Sequence, residues 1–119
     1  MSADITIEFH SRSQTELQLR RIEHAMRQTY PVPIAGFLSD VFFSSQRAVG
    51  IVFGHIDPGV YEQRADGHIL QTAAICRLWK QGRFWVATTE EGRYVLTSFM
   101  RDVGRKSLRV LIEKAESHS

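Results

Sequence analysis

Apolar and polar residues alternate along several stretches of this chain, and the alternation predicts its elements. Residues 4–10 (DITIEFH) send Ile5, Ile7 and Phe9 one way and Asp4, Thr6, Glu8 and His10 the other, as a strand with one solvated face does. Ser13 and Glu16 then fit a capping box, with the hydroxyl at the cap and the carboxylate reaching back. The helix they open runs to about Thr29, with a core stripe of Leu19, Ile22, Met26 and Tyr30, and with Leu17 off that stripe. Pro31-Val32-Pro33 ends it, because proline lacks the N–H and restricts the residue before it. Phe37–Ser44 and Ala48–Ile56 read as strands around Ser45-Gln46-Arg47. Gly50 and Gly54 share a face of the second, which signals a bulge or a close backbone approach. Asp57-Pro58-Gly59 is a turn, and Val60–Ala65 reads as a loop over the sheet edge.

The richest stretch is Asp66–Phe99, where three apolar runs are separated by Lys80-Gln81-Gly82 and Glu90-Glu91-Gly92. Ile69–Leu78 is apolar in both parities, which suits a strand buried on both faces or a buried helical turn. Phe84–Thr89 and Arg93–Phe99 are aromatic and β-branched. Gly82 and Gly92 supply the positive φ that short hairpin turns need, so the stretch predicts a three-stranded antiparallel meander. Toward the C-terminus Leu108, Val110 and Ile112 alternate as in a strand. The longer pattern of Met100, Gly104, Leu108, Leu111 and Ala115 predicts a helix over Met100–Ala115 instead. No repeat or linker interrupts the chain. The expectation is one α+β domain over residues 1–119: an antiparallel sheet of about five to six strands, with a helix in the N-terminal half and a C-terminal helix packed on one face.

Composition narrows the class. With 43% hydrophobic and 24% charged residues, the 119-residue chain is ordinary for a folded domain, and no apolar run reaches the ~20 residues of a membrane span. The N-terminus shows no basic region followed by an apolar core, and a single cysteine suits a reducing compartment, so a cytoplasmic protein is expected. Net charge is only +2, but the cations gather in three clusters: Arg20, Arg21 and Arg27; Arg77, Lys80 and Arg83; Arg101, Arg105, Lys106 and Arg109. Such clusters are common as solvated faces, and they also fit a phosphate-binding surface.

Candidate chemistry is sparse. His55 and Asp57 are close enough in sequence to form a base and its orienting partner, although a histidine beside an Asp-Pro-Gly turn more often serves the turn. The five histidines are scattered, without metal-ligand spacing, and neither a phosphate loop nor a nucleophile elbow occurs, so no metal and no cofactor are expected. Cys76, mid-run among apolar residues, reads as a small buried hydrophobe. Trp79, Lys80, Arg83 and Trp85 surround one predicted hairpin tip. They could stack bases and neutralise phosphates, or the indoles could pack under the helices while the cations solvate a turn, the reading preferred on aromatic density.

These features lead to a non-enzymatic interaction module with a protein partner, including a second copy of itself as a homodimer. Its size and composition suit small accessory proteins of bacteria, phages and plasmids. The rival is a nucleic-acid-binding regulator whose contacts would come from Arg20, Arg27, Trp79, Lys80, Arg83, Trp85, Arg105 and Arg109, and an enzyme built on His55 and Asp57 ranks third. No membrane association is expected.

Overall fold

The computed structural model describes residues 15–56 and 64–117. Helix α1 (Glu16–Arg27) is followed by strands β1 (Gly36–Ser44), β2 (Arg47–Phe53), β3 (Ile69–Gln71), β4 (Ile75–Gln81), β5 (Phe84–Thr89) and β6 (Gly92–Leu96), and by helix α2 (Gly104–Ser117). The strands form one sheet in the order β3-β2-β1-β6-β5-β4. All neighbours are antiparallel except β1 and β6, which pair in parallel at Gly36↔Tyr94, Phe37↔Val95 and Leu38↔Leu96. The sheet is thus two three-stranded meanders joined along one parallel seam. The α+β class, the strand number and the chain positions of the two helices match the sequence expectation. The expected strand over residues 4–10 and the Asp57-Pro58-Gly59 turn lie outside the described residues.

Alternation sorts the strand residues onto two faces, and each face has its own helix. Tyr94 and Leu96 of β6, Ala87 of β5, Leu38 of β1 and Val52 of β2 pack with Leu108 of α2, while Leu111 and Ile112 pack beside them. The opposite parity, Val95, Phe84 and Val86, packs with Ala25 of α1, flanked by Phe37 and Trp79. The helices therefore take opposite faces, where the sequence reading had both on one. The reason is that β5 and β6 are apolar in both parities, so each face of this central region needs a cover.

The run Ile69–Leu78 is not one strand but two. Ile69–Gln71 pairs with β2 at one edge of the sheet, and Ile75–Gln81 pairs with β5 at the other. Three residues join the two edges. Six strands laid flat would separate their edges by about 24 Å, whereas four residue steps reach about 14 Å at most. The sheet must therefore curl, and the α2 face is the concave one, because buried residues from all six strands, Leu70 and Ile75 included, meet there. Thr72 fastens the strap: its hydroxyl accepts from Ala48 N at 3.1 Å and donates to Ala73 O at 2.8 Å. Beyond it, Ile75 N donates to Gln46 O at 2.8 Å.

A bulge in β1 shapes the middle of the sheet. The register with β2 shifts between Ser39 and Phe42, and Asp40 takes φ +54°. Opposite, a Cβ on Gly50 would sit 2.9 Å from Ser39 O, so the predicted close approach is real. Asp40 N donates to Ser98 Oγ at 3.0 Å, and Ser98 Oγ also lies 3.0 Å from Ser39 Oγ. The Asp40 carboxylate accepts from Gln18 Nε2, which docks α1 on the bulge. Gln18 also closes the capping box: Thr15, not Ser13, is the N-cap, and the two residues exchange bonds of 2.8 and 3.1 Å. The α1 stripe shifts with the cap. Ile22 and Ala25 are buried, whereas Leu17, Leu19 and Met26 are exposed.

Candidate functional site

Helix α2 is held tightly at its start. A Cβ on Gly104 would lie 2.4 Å from Val41 O and 2.7 Å from Phe99 Cβ, so only glycine lets the helix backbone come this close. Ser107 Oγ accepts from Phe43 N at 2.9 Å and donates to Gly104 O at 2.7 Å. Leu108 completes the anchor. Further along, the apolar face of the helix is not closed by the sheet. Leu111 and Ile112 are half-buried, and Val110 is 49% exposed. Between them and the concave face of β4 and β5 runs an open cleft of about 920 Å³, floored by Phe43, Ile75, Leu78 and Trp85. Gln46, Cys76, Arg77, Lys114 and Glu116 form its rim.

Cys76 belongs to this rim and is exposed, which corrects the buried position expected from its apolar neighbours. The β4 register shifts between Ile75 and Arg77, and this irregularity takes residue 76 out of the alternation. Its thiol donates to Thr88 O at 3.3 Å.

The Trp79–Trp85 platform does not assemble as one surface. Trp79 is opposite Val86 on the convex face, and Trp85 is opposite Lys80 on the concave face. Both indoles are half-buried: Trp79 packs in the α1 cluster, and Trp85 lines the cleft. Each has a cation over it, Arg77 at 5.9 Å and Lys80 at 5.9 Å respectively. Gln28 Nε2 donates to Gln81 O at 2.9 Å and so brings the end of α1, with Arg27, to the hairpin tip that carries the exposed Arg83. On α1, Arg20 pairs with Glu16 at 2.8 Å and Arg27 with Glu23 at 3.8 Å. Arg105 and Arg109 belong to a separate hollow of about 350 Å³ at the start of α2, lined also by Phe99, Met100, Arg101, Asp102 and Lys106.

His55 finds a partner that sequence spacing could not reveal, 39 positions away: its Nε2 lies 3.1 Å from Tyr94 Oη. Asp57 lies outside the described residues. Tyr94 is 3% exposed, and burial raises the pKa of its hydroxyl, with Arg64 lowering it and Glu91 raising it. A phenol so enclosed ties the segment that follows β2 to β6. Among the described residues, no group of three or more His, Cys, Asp or Glu is placed to hold a metal ion, and no helix is long and apolar enough to cross a membrane. Comparison with family models, with curated proteins and with solved structures found no match to this chain.

Proposed function

We propose that this chain is a small interaction module that receives an apolar-faced segment of a partner protein in the cleft between α2 and the β4–β5 hairpin. The observation that carries the reading is the cleft itself: Phe43, Ile75, Leu78 and Trp85 face Val110, Leu111 and Ala115 across an opening bounded by a helix and an edge strand. A groove of this make-up suits a helix laid in it or a strand added at its lip, with apolar side chains as anchors. Small-molecule sites of similar volume set a few convergent polar groups against the ligand to orient it. Here the polar residues are at the rim and the floor is apolar. A second copy of the chain is one such partner, and its edge strand would supply the segment.

The sole cysteine makes the test direct. A benzophenone maleimide attached to Cys76 places a photoreactive group at the cleft mouth. Irradiation in host extract is expected to yield one dominant polypeptide adduct, or a self-adduct if the partner is a second copy. Val110→Glu, at an exposed position on the cleft wall, is expected to abolish that adduct while leaving the fold intact. Equal capture by the variant, or labelling without any polypeptide adduct, would overturn the reading.

A further inference from the structure

We infer a second surface, beyond the cleft: the hollow at the start of α2 binds the phosphodiester backbone of a nucleic acid. Arg101, Arg105, Lys106 and Arg109 line it together with one carboxylate, Asp102, and all five are exposed. Among the described residues none of the four cations forms an ion pair with a carboxylate, in contrast to Arg20 and Arg27 of α1. Arg105 and Arg109 are four positions apart in the helix, so these like charges neighbour one another, and Arg101 joins them in the lining from the turn before α2. The first turn of α2 carries no acidic residue. Asp102 is the one carboxylate in the lining against four cations, so the hollow carries a net positive charge that a polyanion would offset.

The make-up of the hollow points to phosphate. Three of the four cations are arginines, whose planar forks match phosphate oxygens in pairs. The Arg105 guanidinium lies 5.0 Å from the centre of the Phe99 ring and is thereby held toward the opening. A lipid surface is the weaker fit. The open apolar residues of α2, Val110, Leu111 and Ile112, line the cleft and not the hollow, so no broad apolar face of this helix adjoins the cations for insertion into a bilayer.

The test uses fluorescein-labelled oligonucleotides, single-stranded and duplex, with anisotropy read from low to physiological salt. Four phosphate contacts predict a log–log salt slope of about −3 to −4 and weak binding near physiological ionic strength. Arg105→Glu with Arg109→Glu, both at exposed positions, is expected to weaken binding by at least about tenfold and to flatten the slope by about two. The control pair Arg20→Glu with Arg27→Glu should change affinity less than about threefold, because those arginines are already neutralised. Circular dichroism establishes that each variant is folded. Equal losses in the two double variants would overturn the assignment by showing a response to net charge alone. So would displacement of the oligonucleotide by poly-glutamate at equal charge concentration, or binding confined to phosphatidylserine vesicles.

Discussion

Both helices expose arginines, yet they are built on different electrostatic plans and held by different means. Helix α1 sets a glutamate four residues before Arg20 and before Arg27, and it is hooked to the sheet at its two ends by Gln18 and Gln28. Helix α2 leaves its first-half cations unpaired and is held by backbone contact at Gly104. Two helices with a similar density of charged residues, five of 12 and six of 14, can thus differ in how those charges are arranged. One is a neutralised cover for the convex face. The other is fixed at its start and carries both the apolar wall of the cleft and the basic hollow.

The sharpest way to break this comparison is Gly104→Ala. The added methyl meets Val41 O and Phe99 Cβ, and overpacking of backbone against backbone is expected to cost about 3 kcal/mol in urea unfolding. A loss below about 1 kcal/mol would show that α2 can slide off its seat and is not anchored as described. On the other helix, Gln18→Ala removes both its reciprocal cap bond and the bond to Asp40, at an expected cost of about 1–2 kcal/mol.

Asp40 adds a pH signature to the same contact. Burial raises its carboxyl pKa above the usual aspartate range, so the folded state holds this proton more tightly than the unfolded chain does. The associated stability is full below the unfolded pKa and is lost as pH rises through the folded one. Asp40→Asn keeps the acceptor oxygen for Gln18 and tolerates the positive φ, and it is expected to remove that acid-side slope from stability curves taken between pH 3 and 7. A slope unchanged in the variant would assign the titration to another group. The smallest expected effect compares the helices by charge reversal. Arg20→Glu should lower stability by about 0.5 kcal/mol by breaking an i,i+4 pair, and Lys106→Glu should raise it by about 0.5 kcal/mol by suiting the helix start and Arg109. Shifts of the same sign in both would remove the distinction.

Much of this fold was legible where one face was plainly wetter than the other or where a turn was marked. The hairpin around Ser45-Gln46, both at positive φ, and the glycine turns before β5 and β6 were predicted within a residue or two. The errors share a cause, which is tertiary contact choosing between equal local signals. Ser13 with Glu16 and Thr15 with Gln18 both fit a capping box, and the second prevails where Gln18 also reaches Asp40. Helix α2 begins at Gly104 rather than Met100 because Phe99 is bridged to Val41 and Met100 N donates to Val41 O. The strap at Thr72 was hidden in a run that reads as continuous, since nothing local says that its two ends pair with opposite edges of the sheet. The candidate surfaces were half legible. The α2 cations and Trp85 were singled out from sequence, whereas the cleft needed the curl to bring β4 beneath α2.

The parallel seam between β1 and β6 has a kinetic meaning. Each meander closes through neighbouring strands, and its turns can form quickly on local contacts alone. The seam joins residues such as Ser39 and Ser98, 59 positions apart, and no hairpin leads into it. Loop closure over that distance is a cost met before the seam's contacts form, so the docking of one finished meander on the other is expected to set the folding rate. Substitutions at Leu38 and Leu96 should then slow folding, whereas those in the β4–β5 hairpin should chiefly speed unfolding.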